Sequence, residues 1–242
     1  MVISQQNYNI LELGQQGVSL PDNQTNLLME AVALAPKLPE TLDGLEEGEM
    51  LRIPASWEEY IELAEDAPYP IQFLNDEILV MGQATDTHEQ LVARLIKLFA
   101  IYFDELVGYR VLGSNIKIVI PDQTGDFNAD LSVVQGPSDY GPTPAGRDSK
   151  VRIKNPEIVV EVLSKSTRKL DLGEKFAAYQ TIKSVQHILF VDQQTVSVSI
   201  CSRTSRLDQW LLTHHYALTD TVSIGEFMLK IADVYRKIEL AK

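Results

Sequence analysis

The chain has 242 residues, of which 45% are hydrophobic and 23% are charged, a balance typical of a globular protein with a full core. It contains no apolar run near the roughly 18 residues of a membrane span, no secretory signal pattern, and one cysteine, Cys201, which excludes an internal disulfide. A cytoplasmic protein with no membrane partner is therefore expected. The net charge of −13 argues against a uniformly basic surface that would bind nucleic acid.

Charge is distributed unevenly along the chain. Residues 1–66 hold 13 acidic and 2 basic residues, a balance of −11, whereas residues 147–175 hold 8 basic and 5 acidic residues, a balance of +3. The basic window has two interpretations, namely solvated loop and helix ends or a surface that faces a polyanion.

The first part of the chain is predicted to be an extension. Residues 1–50 are rich in Gln, Asn and Glu and lack sustained apolar periodicity, apart from one short helical stretch. We therefore predict an acidic, partly irregular extension over residues 1–50 and a folded domain over residues 51–242. Removal of the extension is expected to leave the fold intact.

Two helices and a hairpin are predicted next. Residues 56–66 begin with the S-x-x-E pattern of a capping box and continue as a helix. Asn75-Asp76 separates two apolar runs, which predicts a hairpin. Apolar residues at helical spacing predict a longer helix over residues 87–106, with a second capping box formed by Thr87 and Gln90.

The remainder of the chain is predicted to be mostly strands. They are expected over residues 109–120, 129–134, 156–164, 185–192, 195–202 and 210–218. Residues 121–128 are predicted to form a turn and residues 136–155 an irregular loop, because both are rich in Gly, Pro and Asp. A helix capped by Asp171 and Glu174 follows the third strand, and residues 227–240 are predicted to be a helix or a strand-to-helix transition. The layout predicts an α/β fold with a central mixed sheet flanked by helices.

Glu161 is a charged residue in an otherwise apolar strand. In "PEIVVEVLS", residues 156–164, alternate side chains point to opposite faces, and both faces are apolar. The strand is therefore predicted to be covered on both sides, where an unpaired carboxylate is costly. Three explanations remain: the carboxyl group is protonated, it pairs with a cation, or it binds a metal ion.

A second carboxylate, Asp130, lies at the start of the predicted strand "ADLSVV". On its own, it is explained as a strand-entry residue hydrogen-bonded to a turn. It precedes Glu161 by 31 positions, on the preceding predicted strand. If the two strands pair, both carboxylates converge on one hard divalent cation, which prefers oxygen ligands and would be the partner that Glu161 needs.

The segments "ADLSVV", "PEIVVEVLSKSTRKLDLGEKFAAYQ" and "VQHILFVD" resemble the Uma2-like family (formerly a domain of unknown function), a branch of the PD-(D/E)XK nuclease superfamily. The resemblance covers approximately residues 55–240. Its most specific part is Glu161-Val-Leu-Ser followed by Ser166-Thr167, Asp171, Lys175 and Tyr179. The resemblance implies a restriction-endonuclease-like core, with residues 1–50 outside it.

The resemblance also implies a metal site and a reaction. Asp130 and Glu161 are expected to hold Mg²⁺, or alternatively Mn²⁺, with the carbonyl of Val162 as a third ligand. The implied reaction is metal-assisted hydrolysis of phosphodiester bonds. The superfamily lysine is expected two positions after Glu161, where this chain has Leu163. The family places its lysine on the following helix, so Lys175 is expected to steady transition-state charge or to orient water.

Further candidates each have an ordinary structural explanation as well. Ser164 either contacts phosphate or caps a turn, and Asp171 is interpreted as an N-cap rather than a ligand. His88 and Glu89 open the long helix, where related nucleases carry an accessory acidic or histidine residue; otherwise they are simply exposed. Tyr179 is expected to pack in the core with its hydroxyl satisfied.

Basic side chains are expected around the two carboxylates. Arg147 to Lys154 are predicted to form the rim of the groove. Lys165 shares the face of Glu161 but lies about 13 Å away along an extended strand. For Lys175 the alternative explanation is an exposed helix lysine paired only with Asp171.

Three functions remain open from the sequence. The leading hypothesis is a Mg²⁺-dependent endonuclease that acts on DNA, assembled as a homodimer. The alternative is a catalytically inactive nuclease-fold module for binding or dimerisation, which Leu163 and the acidic composition favour. A third is a phosphodiesterase for RNA or small nucleotides.

Overall fold

The computed structural model describes residues 36–43, 45, 49–142, 148–165, 167–206 and 208–240. The predicted helical stretch within the extension lies outside these residues. Within the described part of the chain, no helix is long and apolar enough to cross a membrane.

The described residues contain fifteen strands and five α-helical segments. The strands are β1 Met50–Pro54, β2 Ile71–Leu74, β3 Glu77–Met81, β4 Tyr109–Gly113, β5 Lys117–Val119, β6 Gly125–Asn128, β7 Leu131–Gln135, β8 Tyr140–Pro142, β9 Asp148–Ile153, β10 Ile158–Leu163, β11 His187–Asp192, β12 Val198–Arg203, β13 Trp210–His215, β14 Thr221–Ile224 and β15 Phe227–Lys230. The helices are α1 Trp57–Asp66, α2 Asp86–Phe103, α3 Arg168–Leu170, α4 Phe176–Thr181 and α5 Ile231–Val234; a 3₁₀ turn spans Pro121–Gln123 and a π-helical turn spans Asp171–Lys175.

Two large sheets form the centre of the fold. One has seven strands in the order β1-β3-β2-β6-β5-β9-β8, and the other has six in the order β13-β12-β11-β10-β7-β4. Strand β10 pairs parallel with β11 and antiparallel with β7, so the six-stranded sheet is mixed. The predicted α/β fold with a mixed sheet is confirmed, and the strands of Asp130 and Glu161 are neighbours.

Strand β10 is covered on both faces, as its sequence predicts. Val160 and Val162 pack in a core with helix α2, whereas Val159 and Leu163 pack in a core with side chains of the seven-stranded sheet such as Phe127. Helix α1 packs on the other face of that sheet. Glu161 therefore points into the layer between the two sheets.

The predicted hairpin and the first capping box are confirmed. Asn75 and Asp76 both have positive φ, 47° and 62°, as a two-residue hairpin turn requires. Ser56 accepts the backbone N–H of Glu59, and Glu59 accepts that of Ser56.

The capping box predicted at Thr87 and Gln90 is wrong. The N-cap of helix α2 lies two residues earlier, at Thr85, whose side chain accepts the N–H of His88. The amide of Gln90 donates instead to Asp86 within the helix. Thr85 and Thr87 are both possible N-cap residues in the sequence. Thr85 is the one used, because its backbone is extended, as an N-cap requires.

Two segments predicted as irregular contain strands. Strand β6 lies between β2 and β5, although Gly, Asp and Asn disfavour strands. Gly125 is required there because a Cβ would lie 2.7 Å from the ring of Phe127. Strands β8 and β9 fall in the predicted loop, where β9 pairs with β5 at Lys117 and Arg152.

The helix after β10 also begins earlier than predicted. It starts at Arg168, so Asp171 lies inside the helical segment and is not an N-cap. At the other end of the domain, β15 continues directly into α5, which confirms the strand-to-helix transition.

Candidate functional site

A cavity of about 330 Å³ lies between the two sheets, beside the N-terminal end of helix α2. Most of the candidate residues from the sequence line this cavity: His88, Glu89, Asp130, Glu161, Val162, Ser164, Asp171 and Lys175. Tyr179 lies behind Glu161 and contacts it. The topology therefore brings the candidates together in one place.

Glu161 is buried, with 3% of its surface exposed, and is bound by two neighbours. Its Oε1 lies 2.7 Å from Nζ of Lys175 and accepts the hydroxyl of Tyr179 at 2.6 Å. Burial raises the pKa of Glu161 to about 7, with the Lys175 ammonium opposing the shift. Of the three explanations for a buried glutamate, pairing with a cation is the one present in the structure.

Lys175 is equally buried and lies between two carboxylates. Its Nζ is 2.7 Å from Glu161 and 3.3 Å from Asp171, and only 2% of the side chain is exposed. Burial lowers the pKa of Lys175, but the two carboxylates outweigh it and hold the pKa above its usual value. The alternative explanation, an exposed lysine paired only with Asp171, is therefore wrong, and a charged ammonium lies beside Glu161.

The π-helical turn aligns the residues of this helix toward the site. In an α-helix, positions i, i+4 and i+8 drift around the axis because a turn holds 3.6 residues. A π turn closes its hydrogen bond over one more residue, from i to i+5, and so opposes that drift. As a result Asp171, Lys175 and Tyr179 are all buried on one side of the helix.

Asp130 lies directly before β7, and both of its oxygens are hydrogen-bonded. Its Oδ2 accepts the backbone N–H of Val162 at 2.6 Å, and its Oδ1 lies 3.2 Å from Nε2 of His88. The hydrogen-bonded pairing of β7 with β10 ends at Leu131 and Val160. Just beyond it, the Asp130 carboxylate accepts the N–H of Val162 in place of a backbone carbonyl. Asp130 thus binds the neighbouring strand rather than its own turn.

His88 lies in the first turn of α2 and is partly buried. Burial lowers the pKa of its imidazole, but the hydrogen bond and the charge of Asp130 outweigh this and raise the pKa above 6.5. Ser164 accepts the N–H of Thr167 at 3.1 Å, so it caps that turn as well as lining the cavity. Glu89 is exposed at the cavity wall. Tyr179 is packed in the core, as expected.

The predicted basic rim is wrong for the residues that the structure describes. Arg152 is buried and pairs with Asp126 at 3.0 Å, and Lys154 pairs with Asp139 at 3.0 Å. Among the residues whose side chains the structure describes, none of residues 150–154 lines the cavity, and Arg147 lies outside the described part of the chain. The lysines that line it are Lys165 and Lys175.

The donor set fits a hard divalent cation. Among the described residues no group of three or more His, Cys, Asp or Glu side chains forms a metal-ligand cluster. Mg²⁺, however, is commonly bound by one or two carboxylates together with water and substrate phosphates. The described residues of the cavity lining include five carboxylates and two lysines, a formal balance of −3: Glu49, Glu89, Asp130, Glu161 and Asp171 against Lys165 and Lys175.

Two buried amides of the cavity were missed by the sequence reasoning. Gln193 accepts the hydroxyl of Thr85 at 2.9 Å, and Gln72 lies on β2 of the opposite sheet. Gln72 is the polar residue in the apolar strand "IQFL", which is the same signal that drew attention to Glu161.

The fold matches that of a solved structure. The structure of a putative nuclease belonging to DUF820 from Anabaena variabilis ATCC 29413 matches with a TM-score of 0.59 and 14% identity, covering 75% of this chain and 98% of that chain. At this identity the likeness shows the fold.

The family follows from the sequence comparison. The chain belongs to the Uma2 family, described as "Putative restriction endonuclease", whose model matches residues 57–232. It is similar to two uncharacterized proteins of Synechocystis. The protein slr1290 is 30% identical over 72% of this chain and 87% of its own length. The protein sll1609 is 27% identical over 64% of this chain and 84% of its own length.

Proposed function

We propose that the chain is a metal-dependent endonuclease that hydrolyses phosphodiester bonds in DNA, with Asp130 and Glu161 holding Mg²⁺ or Mn²⁺ and Lys175 assisting. The observation that carries this proposal is the 2.7 Å contact between Lys175 Nζ and Glu161 Oε1. It puts a buried ammonium beside the strand carboxylate in a chain with Leu163 at the usual lysine position. Membership of the Uma2 family supports the same chemistry.

The residues of the chain have complementary roles in this proposal. Asp130 is oriented by the Val162 N–H and by His88, and Tyr179 orients Glu161. When bound, the cation supplies polarisation of the phosphate and a water of lowered pKa.

Lys175 has a role of its own toward the phosphate. Its ammonium donates to a phosphate oxygen as negative charge grows there, a contribution worth about 10²–10³ in rate for one preorganised donor. Glu161 Oε1 is held by Lys175 and Tyr179, which leaves Oε2 for the cation.

The alternative of an inactive module rests on the same ion pair. Lys175 already satisfies the charge of Glu161, so the buried carboxylate is explained without a metal ion. The two proposals differ in whether the remaining negative charge of the cavity attracts a divalent cation and in whether cleavage follows.

The experiment is a cleavage assay of the purified protein on single-stranded DNA, duplex DNA and RNA, with Mg²⁺, Mn²⁺ or EDTA. We expect DNA cleavage that EDTA abolishes. Asp130→Asn keeps an oxygen for the Val162 N–H and is expected to lower cleavage more than about 100-fold, because even outer partners of metal ligands contribute 10- to 100-fold.

Asp139→Asn is the matched control, since Asp139 is a surface carboxylate paired with Lys154. It is expected to cleave like the unmodified protein. No cleavage of any substrate with either metal would favour the inactive module, and cleavage of RNA alone would favour the phosphodiesterase.

A further inference from the structure

Gln72 is a buried amide on the wall of the cavity opposite Glu161. It belongs to β2 of the seven-stranded sheet, whereas Glu161 belongs to β10 of the six-stranded sheet. Only 8% of Gln72 is exposed, and the residue lines the cavity. None of the roles proposed above for Asp130, Glu161 or Lys175 uses it.

The carbonyl oxygen of Gln72 has no hydrogen-bond partner among the described residues. Its Nε2 lies 3.6 Å from Sδ of Met81, and a thioether is a weak acceptor. A buried carbonyl without a donor is unfavourable, and replacing it with an apolar group of the same shape is often neutral or stabilising. The amide is thus poorly satisfied by the protein itself, as expected of a group that contacts a ligand.

The rest of the cavity wall has the same chemistry. Among the described residues, two lysines and His88 are the only basic residues that line it, whereas six carboxamides do: Gln72, Gln83, Asn115, Asn128, Gln193 and Gln194. Beside Gln72 lie Pro70 and Met81, and a methionine thioether packs favourably against aromatic rings. This wall suits a flat, polar-edged ring better than a chain of phosphates.

We propose that Gln72 recognises an unpaired nucleobase that carries an exocyclic amino group, adenine above all, in the nucleotide bound beside Glu161 and Lys175. This inference rests on the proposed function and adds the substrate feature that the cavity selects. A glutamine amide forms two hydrogen bonds with adenine, accepting from N6 and donating to N7. The base would supply the donor that Gln72 Oε1 lacks and replace the weak contact with Met81.

The size of the cavity indicates a single nucleotide rather than a stacked duplex. Its volume of about 330 Å³ is near the lower end for small-ligand sites, roughly 300–1,000 Å³. Glu161 and Lys175 are nearly fully buried in its wall, so reacting groups must enter the layer between the sheets. Enzymes that act on an enclosed nucleotide use single strands or extrude the nucleotide from the duplex.

The test measures binding of 5′-dAMP, dCMP and TMP to the full chain by isothermal titration calorimetry with Mg²⁺. We expect dAMP to bind about 10-fold tighter than TMP, and Gln72→Leu to remove that preference, since one bidentate base contact is worth about 5- to 150-fold. The melting temperature of Gln72→Leu is expected to be unchanged or higher, because an unpartnered carbonyl is removed.

Gln135→Leu is the matched control, because Gln135 is an exposed carboxamide outside the residues that line the cavity and should keep the preference. Gln72→Met is measured in parallel in case leucine disturbs the sheet. TMP binding as tight as dAMP, no binding of any nucleotide, or a folded Gln72 variant that still prefers dAMP would overturn the inference. Binding is read without cleavage, so a protein that prefers dAMP but cleaves nothing would refute the proposed function alone.

Discussion

At the scale of single residues, the site is a balance between one buried ammonium and two buried carboxylates. Lys175 lies between Glu161 and Asp171, and each of the three side chains is almost fully buried. Removing one partner from such a group leaves an uncompensated buried charge. Lys175 therefore stabilises the fold in addition to its proposed role in cleavage. For this reason, the stability of a Lys175 variant must be measured together with its activity.

Lys175→Met is expected to lower the free energy of unfolding by about 3–5 kcal/mol at pH 7, because it leaves two carboxylates unpaired in the layer between the sheets. Urea denaturation measures this loss. Lys165→Met, a change at an exposed lysine of the same cavity, is expected to stay within about 0.5 kcal/mol of the unmodified protein. Equal stability of the two variants would contradict the buried ion-pair network.

His187 is expected to make the fold sensitive to acid. Its Nδ1 lies 2.9 Å from the hydroxyl of Ser202, and burial lowers the pKa of the imidazole below 6.5. The unfolded chain therefore binds the proton more readily, so this contribution to stability is present above pH 6.5 and is lost as the pH falls toward the folded-state pKa.

His187→Gln is expected to flatten the fall in unfolding free energy between pH 7 and pH 5, measured by urea denaturation at several pH values. A variant as acid-sensitive as the unmodified protein would show that other groups are responsible.

At the scale of elements, the π-helical turn carries the site. It places Asp171 and Lys175 on the buried side, and its remaining residues face outward: Leu172 is 40% exposed, and a Cβ at Gly173 would meet no atom within 4 Å. Gly173 is thus free of packing constraints. Its flexibility costs conformational entropy on folding and gives nothing in packing.

Gly173→Ala is expected to raise the free energy of unfolding by about 0.4–1 kcal/mol, because it reduces the freedom of the unfolded chain. Gly125→Ala is the contrasting change, since its Cβ would lie 2.7 Å from Phe127 and 2.8 Å from Ile120. It is expected to cost about 1–3 kcal/mol through overpacking. Thermal and urea denaturation of both variants test this, and destabilisation by Gly173→Ala would show that the π turn requires glycine.

Much of the fold and part of the site were accessible from the sequence. The apolar residues on both faces of "PEIVVEVLS" predict a doubly covered strand, and the resemblance on the following helix points to Lys175. The π turn has no comparable sequence signal, so the burial of Asp171 and Lys175 was missed. Strand β9 was missed because its basic residues and its loop-rich surroundings conceal the alternation. Arg152 of this strand is buried, and Asp126 compensates its charge across the sheet.

At the scale of the whole molecule, the described residues before β1 contribute to the core near α1. Leu38, Leu42 and Leu45 pack against that cluster, and the hydroxyl of Tyr69 donates to the carbonyl of Pro39 at 2.6 Å. One compact unit begins at Lys37. The boundary at residue 50 stays a prediction, and these contacts favour a boundary nearer residue 36.

Two truncations test the boundary. Removal of residues 1–36 is expected to leave cooperative unfolding and its free energy unchanged. Removal of residues 1–49 also removes Leu38, Leu42 and Leu45. It is expected to lower the free energy of unfolding by at least about 1.5 kcal/mol, the transfer free energy of one buried leucine. Equal stability of the two truncated proteins, measured by urea denaturation, would support the boundary at residue 50 instead.

The proposed function requires the negative cavity to hold a divalent cation on Asp130 and Glu161, although Lys175 already contacts Glu161. Counting bound Mn²⁺ by electron paramagnetic resonance tests this without knowledge of the substrate. We expect Mn²⁺ that Mg²⁺ displaces, strongly reduced binding in Asp130→Asn and in Glu161→Gln, and unchanged binding in Asp139→Asn. Binding by the unmodified protein that is no greater than that of Asp130→Asn would contradict the account and leave the cavity as part of an inactive module.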